Sequence, residues 1–415
     1  MSEIVIQKSP ALCGNIICQG SKNAALPILA ATILTEGKNT IKNLPRLTDT
    51  ENMFEILAAL GGVLNINVNT AEIDFTNCNS HFASYELMSK FRGSFFLASP
   101  LLSRMKRARI SMPGGCPIGN RPIDLHLKGF AAMGAEIEKG HGYVDLYCEK
   151  LKGAKIYLDF PSVGATENLI MAAVLAEGET IIENAAAEPE ITDLANFLIK
   201  QGAKIHGAGS DTIKIYGVKQ LEPVTYSIIS DRIEAGTFMS AFAITGGKGK
   251  IENVNPVHLK PVTAKLTEMG ADIDVHRNYI SIDASRHLFS ANIKTLPFPG
   301  FPTDMQAQFS ALLCETDGTG IIVETVFENR FLHIGELNRM GANIRIDGRS
   351  SFIEGNKRLS GAKVSAMDLR GGASLVLAGL CAEGETRISG VHHIKRGYEN
   401  LCGKLRSVGA NIFLE

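Results

Sequence analysis

A surplus of charge of either sign is what this sequence lacks first: 42 lysines and arginines stand against 43 aspartates and glutamates, a net charge of -1. Such a chain has no general attraction to nucleic acid or to an acidic membrane surface, so any anion site must be local. Long apolar runs are missing too. A stretch such as Leu169 to Ala176 is too short to span a bilayer and is rich in small residues, so no membrane insertion is expected. The start, MSEIVIQKSP, carries an early acid and no basic stretch leading into an apolar core, which argues against a secretory signal. Cysteines at 13, 18, 78, 116, 148, 314, 381 and 402 form no close CxxC pair, and read as reduced thiols of a cytoplasmic protein. No Cys/His cluster has ligand spacing, and His392-His393 stands alone, so no metal is expected.

What is present is a repeat. With 45% hydrophobic and 20% charged residues over 415 positions, the chain is globular and long enough for two or three domains. A helix ending in Gly-Gly or Gly-Ala and running into a short alternating strand recurs as ALGGVLNI, AMGAEIEK, KQGAKIHG, EMGADIDV, RMGANIRI and SVGANIFL. The glycines 61, 134, 202, 270, 341 and 409 are spaced by about 70 residues, the mark of one supersecondary unit used repeatedly. Glycine is needed there because it takes the left-handed conformation that stops a helix.

Each unit also holds a second helix, apolar on most faces and rich in Ala, Gly and Ser: KNAALPILAATILTEG, RGSFFLASPLLSRM, ATENLIMAAVLAEG, IEAGTFMSAFAITGG, TDMQAQFSALLCETDG and LRGGASLVLAGLCAEG. A helix hydrophobic all round is buried. Strands such as 180–184, 250–253 and 386–389 follow, giving an α/β order of strand, buried helix, strand, amphipathic helix, strand, six times over. The third unit runs out near residues 216–223, which predicts a first lobe over 21–229 and a second over 1–20 plus 230–415. Residues 3–18 resemble the outgoing hairpin that the sixth unit lacks, in the style of 352–366, and two short crossings between lobes would make a hinge. The apolar helix bodies and Gly-Ala ends are read as packing alone.

The entrances of the buried helices differ. They open as Ser21-Lys22-Asn23, Arg92-Gly93-Ser94, Thr166-Glu167-Asn168, Asp231-Arg232, Thr303-Asp304 and Asp368-Leu369-Arg370. A helix N-terminus carries about half a positive charge, so Lys or Arg there is disfavoured unless an anion joins it. The alternatives are cations that reach out to water or several entrances that together trap phosphate and carboxylate. The segment PGGCPIGNRP, residues 113–122, cannot form regular structure and reads as a lid-like loop. Cys116 within it has Arg121 nearby, a setting that favours thiolate; a loop cysteine is equally often inert.

These segments carry a resemblance. Lys22-Asn23, GGCPIG with Arg121-Pro122-Ile123-Asp124-Leu125-His126, Ser162-Val163-Gly164-Ala165-Thr166, FPTDMQAQ at 301–308, ETVFENR at 324–330, Asp368-Leu369-Arg370 and Arg396-Gly397-Tyr398-Glu399 closely resemble the UDP-N-acetylglucosamine 1-carboxyvinyltransferases, from about Ile4 to the end of the chain. The resemblance implies the enolpyruvyl-transferase, inside-out α/β barrel fold, with two lobes of three βαβαββ-type repeats. It implies transfer of enolpyruvate from phosphoenolpyruvate to the 3-hydroxyl of UDP-N-acetylglucosamine with release of phosphate, the first committed step of peptidoglycan synthesis, with no cofactor and no obligate protein partner. Cys116 would be the acid that protonates the methylene carbon, and a thiol with pKa near ~8 suits that work. Asp304 would be the base for the sugar hydroxyl. Lys22, Arg121 and Arg396 would take the phosphate, Arg370 and Arg396 the carboxylate, and Arg92 a second anion contact. Asn23, Arg121, Pro122, Ile123, Asp124, Leu125, Ser162, Val163, Gly164, Asp304 and Val326 would contact the nucleotide sugar, with Arg330 supporting closure. Asp124 and His126 fit a structural role equally well. Phe160 departs from relatives that carry lysine there, which puts the diphosphate contact in doubt and suggests stacking instead.

Three other readings compete. A sister transferase acting on shikimate 3-phosphate shares the fold but does not need the Cys116 loop. A non-catalytic paralogue would be expected to lose Cys116, Asp304 or Lys22, and all three are present. A cysteine hydrolase using Cys116 and His126 lacks a recognisable oxyanion hole or third member.

Overall fold

Alternation of buried helix and short strand leaves each strand too short to stand alone, so the strands collect into small sheets against the helices. The computed structural model of the chain describes residues 2–112, 123–356 and 358–415. Among these, residues 20–112 with 123–229 form one compact unit, the N-terminal unit. Residues 2–19 with 230–415 form the other, the C-terminal unit. Residues 113–122, read above as a lid-like loop and including Cys116, Arg121 and Pro122, lie outside the described residues.

Each unit holds three small sheets built to one plan. In the sheet that orders Lys204–His206, Thr212–Tyr216, Glu179–Glu183 and Lys155–Tyr157, the last two strands run parallel and the other neighbours antiparallel. A parallel pair needs a crossover, and the buried helix supplies it. The six buried helices are α1 (Lys22–Ala31), α2 (Ala98–Met105), α3 (Val163–Ala173), α4 (Arg232–Ile244), α5 (Gln306–Cys314) and α6 (Leu369–Cys381). Of these, α2, α3, α5 and α6 cross between parallel partners. By contrast α1 and α4 join strands of different sheets, because Cys13–Ile17 pairs with Lys248–Glu252 and Thr225–Ser227 with Lys38–Lys42. Nearly every residue of α1, α3, α4, α5 and α6 is buried, which is why their sequences show no polar stripe. The six glycines of the repeat sit at helix ends with φ between 91° and 107°, where a side chain would be strained.

Two expectations need correction. Residues 3–18 do not form a hairpin. Ile4–Gln7 lies between Glu385–Ser389 and Ile412–Leu414, while Cys13–Ile17 runs parallel to Lys248–Glu252 in another sheet. The template segment behaves alike: Ser350–Glu354 and Lys363–Ser365 also enter different sheets. Adjacent strands in sequence here end one repeat and begin the next. The stretch RGSFFLASPLLSRM is also not one helix, but a 3-10 segment, Arg92–Leu97, followed by α2. Pro100 falls in the first turn of that α-helix, where its missing N–H leaves no helix carbonyl without a donor. That repeat is the least regular: its sheet has three strands, and its first strand is reduced to a bridge between Phe82 and Arg109.

Arg104, in the last turn of α2, fastens this part of the N-terminal unit. Its Nη1 donates to the carbonyls of Ile33 and Thr35 at 2.9 Å each, and Nη2 donates to Phe75 O at 2.5 Å. These carbonyls end a helix and a strand and have no regular partner, so the guanidinium acts as a shared cap. Among the described residues no helix is long and apolar enough to cross a membrane. Arg104→Met, which keeps the stem but orphans these acceptors, is expected to lower stability by about 2 kcal/mol, read as a reduced midpoint in urea unfolding.

Candidate active site

In the C-terminal unit the site starts from one carboxylate. Asp304 sits in a 3-10 turn, Thr303–Met305, that leads into α5. Its Oδ1 accepts from Arg330 Nη2 at 2.7 Å and its Oδ2 from Arg370 Nη2 at 3.0 Å. The two guanidinium side chains are only 6% and 3% exposed, so the idea that entrance cations merely reach out to water fails for Arg370. Burial pushes the Asp304 carboxyl up, but the two arginines outweigh it and hold it well below the usual carboxylate range.

The surroundings fix these groups. Asp368 caps α6, accepting from the N–H groups of Arg370 and Gly371 at 2.9 Å each, which removes much of the positive end that would repel Arg370. Glu324, fully buried, accepts from Thr295 Oγ1, Thr303 Oγ1 and the N–H of Val326, each at 2.8 Å. Thr303 Oγ1 in turn accepts from Arg330 Nη1 at 2.9 Å. One buried acid therefore ties Val326 to the Asp304 turn. Arg396 is half-buried in the turn after Val391–Ile394, beside His393.

The N-terminal unit gathers a second set. Lys22, first residue of α1, is 13% exposed and pairs with the buried Asp49 at 3.1 Å; Asn23 follows it. Asp49 lies in the first turn of the helix Thr48–Ala59. Arg92 opens the 3-10 segment and lies in the electrostatic environment of His126. Ile123, Asp124 and Leu125 start the helix Asp124–Ala132 that carries His126. Ser162 caps α3 by accepting from Ala165 N–H at 3.4 Å, with Val163 and Gly164 in its first turn. The expected entrance at Thr166-Glu167-Asn168 is thereby corrected. Those residues lie inside the helix, fully buried, because Ser162 starts it one turn earlier.

His126 has an assignable protonation state. Asn168 Nδ2 donates to Gly164 O at 3.3 Å, which fixes the amide orientation, and reaches His126 Nδ1 at 3.1 Å. Nδ1 is therefore the acceptor, and the ring proton lies on Nε2. Burial, and then Arg92, hold the imidazole down to about 3, so it is neutral at physiological pH. A Cβ on Gly164 would lie 3.3 Å from His126 Cε1, so only glycine gives this close approach freely. Phe160, just before the Ser162 cap, is 43% exposed and free of the core.

Sequence reasoning found the cations and missed what holds them. Asp49, Glu324 and Tyr398 carry no local signal, since each acts through a partner distant in the chain. Replacing Asp304 with Asn would leave two buried guanidiniums without their counter-charge, and is expected to cost about 3 kcal/mol. A carboxylate depressed in the folded state stabilises fully above its unfolded value near ~4. The gap between wild-type and Asp304→Asn unfolding free energies should thus be flat from about pH 5 to 8 and shrink as pH falls below about 4.

The model of the EPSP synthase family (3-phosphoshikimate 1-carboxyvinyltransferase) matches residues 6–405. The chain is 54% identical over 414 residues to UDP-N-acetylglucosamine 1-carboxyvinyltransferase 2 of Carboxydothermus hydrogenoformans, covering 99% of each chain. It is 53% identical to the enzyme of the same name from Clostridium tetani, covering all of both. Among solved structures, the enolpyruvyl transferase NikO from Streptomyces tendae superposes with a TM-score of 0.90 at 25% identity, over 100% of this chain and 98% of that one. EPSP synthase of Acinetobacter baumannii gives 0.79 at 20% identity over all of both chains, a likeness of fold. With the enolpyruvyl-transferase fold and full-length identity above half, the chain belongs to the EPSP synthase family and, within it, to the UDP-N-acetylglucosamine 1-carboxyvinyltransferases.

Proposed function

We propose that the chain transfers the enolpyruvyl group of phosphoenolpyruvate to the 3-hydroxyl of UDP-N-acetylglucosamine, releasing phosphate, as a cytoplasmic step of peptidoglycan precursor synthesis. The observation that carries the reading is the state of Arg370. It is buried, uses Nη2 on Asp304, and makes no hydrogen bond through Nε or Nη1 among the described residues. A buried cation with donors to spare is a site for an anion, and the first substrate carries a carboxylate and a phosphate.

The reaction is an addition followed by an elimination. Carbon 3 of the enol gains a proton while the sugar oxygen bonds to carbon 2, giving a tetrahedral phosphate ketal. The ketal then loses a proton from carbon 3 and expels phosphate, which restores the double bond. Cys116 is proposed as the acid at carbon 3, since a thiol can both give a proton and take it back near neutral pH. Lys22 and Arg121 are proposed phosphate ligands, and Arg370 and Arg396 carboxylate ligands, with Arg396 also reaching the phosphate.

Asp304 is the proposed base, and its pairing sets a condition. A carboxylate held by two arginines is a poor proton acceptor, so the pairing must loosen before it can take the hydroxyl proton. A substrate carboxylate drawn to Arg370 would weaken one of the two bonds and raise Asp304 toward the useful range. Base and anion site are thereby linked through one guanidinium. Asn23, Ile123 to Leu125, Ser162 to Gly164 and Val326 are proposed nucleotide-sugar contacts, with Phe160 offering a ring face where a charge would otherwise stand.

A coupled phosphate-release assay tests the reading: turnover is expected with phosphoenolpyruvate and UDP-N-acetylglucosamine, and none with shikimate 3-phosphate as acceptor. The reverse preference would overturn it. Cys116→Ala is expected to abolish turnover while nucleotide-sugar affinity stays within about threefold, since the thiol acts on the enol rather than on the sugar. Cys116→Asp should retain activity, because a carboxylic acid can deliver the same proton.

A further inference from the structure

Behind Arg370 lies a buried polar group that the reaction as described does not use. Tyr398 and Thr237 are each 2% exposed, and Gln308 is fully buried. Tyr398 Oη and Thr237 Oγ1 are 2.9 Å apart, and Gln308 Nε2 donates to both, at 3.2 Å and 3.0 Å. The Arg370 guanidinium carbon lies 5.4 Å from the centre of the Tyr398 ring.

The direction of the hydroxyl protons can be worked out. Thr237 Oγ1 donates to the carbonyl of Ile233 at 2.8 Å, and a carbonyl can only accept. The single Thr237 proton is therefore committed, and toward Tyr398 this oxygen must accept. Tyr398 in turn gives its proton to Thr237 and accepts from Gln308, so toward Arg370 it can offer only its remaining lone pair. Gln308, donating to both oxygens, holds the same orientation. Phenol ring and phenol oxygen thus both present negative potential to the guanidinium, from within the same unit.

We propose that Tyr398 is a positioning residue for Arg370, its hydroxyl oriented by Thr237 and Gln308 so that the guanidinium is held against Asp304 with Nε and Nη1 directed to the substrate carboxylate. The inference rests on the function proposed above for Arg370. It adds a residue that touches neither substrate nor the reacting atoms, and explains why a tyrosine is buried with a hydroxyl network where phenylalanine would fill the space.

The test uses changes that remove a hydroxyl without altering volume. Tyr398→Phe and Thr237→Val are each expected to raise KM for phosphoenolpyruvate about tenfold, with KM for UDP-N-acetylglucosamine within about twofold of wild type. Thr237→Ser, which keeps acceptor and donor, should restore the wild-type value. The double change should cost little more than either single one, because both break the same chain. A purely structural role predicts a lower melting temperature with both KM values unmoved, and that result in Tyr398→Phe and Thr237→Val would overturn the proposal. Should Tyr398→Phe not fold, Thr237→Val carries the test. Absence of turnover in the wild type would remove the functional reading instead. Positioning would then be decided by the crystal structure of Tyr398→Phe: a guanidinium shifted by about 1 Å from its place on Asp304 supports it, and one left in place refutes it.

Discussion

Everything around Asp304 in the C-terminal unit depends on one carboxylate shared by two buried guanidiniums. Without it Arg330 and Arg370 would be unpaired ions at a few per cent exposure, a state whose desolvation costs several kcal/mol. For Arg370, burial works against the charge, and Tyr398, Asp304 and Asp231 together outweigh it. Arg370 has a second problem, its place in the first turn of α6, where the aligned backbone dipoles repel a cation. Asp368 answers that by capping the helix. Lys22 meets the same difficulty at α1 and the same kind of answer, an acid brought in from the next helix. At α4 the signs are exchanged: Glu234 stands in the first turn and Lys404 is the partner, at 2.6 Å.

Pairs of this kind are weak devices for stability. Well-packed apolar residues of similar volume commonly serve a fold as well or better. Charges kept at the entrances of otherwise apolar helices therefore call for another explanation, and the anion binding proposed above would supply it. The same reasoning separates two buried acids. Asp304 is ionised because arginines face it. Glu167, inside α3, has no hydrogen-bond partner among the described residues, and burial, with Glu190 and Glu188 nearby, raises it well above the ordinary range. Burial alone would make both neutral, and the guanidinium makes the difference.

The sequence showed the architecture where the cause is local. A glycine that must adopt positive φ at a helix end leaves a mark at every repeat, and so does a helix with no polar face. The order of sheets and helices follows from those marks. Strand partnership does not, because it is decided between repeats: residues 3–18 look like a hairpin by spacing, yet their two strands enter separate sheets. The entrance of α3 was misplaced for a related reason. Ser162 in a Pro-Ser-Val-Gly stretch reads as loop, and only the bond from Ala165 N–H shows that it is a cap. At the site, the cations were legible because a cation at a helix start is anomalous by itself. The groups that hold them were legible only in part: Asp304 stands at an entrance itself, but Asp49, the partner of Lys22, and Glu324, which ties down Thr303, are unremarkable acids until the fold brings them to a partner.

The proton order of the buried hydroxyls extends this argument from charge to orientation. In each unit a group that can only accept, the carbonyl of Ile233 or of Gly164, fixes the donor next to it, and that choice passes along the chain. In the C-terminal unit it commits the Tyr398 proton to Thr237, which leaves an oxygen lone pair for the role proposed above. In the N-terminal unit it puts the His126 proton on Nε2, the nitrogen nearer to Gly164 in the first turn of α3. Neither residue needs to ionise for this, and their displaced titrations keep both neutral across the physiological range. Backbone acceptors, set by the helices themselves, thus determine which face a side chain offers. A fold assembled from repeats can specify a chemical site with residues that are, one by one, indistinguishable from its core.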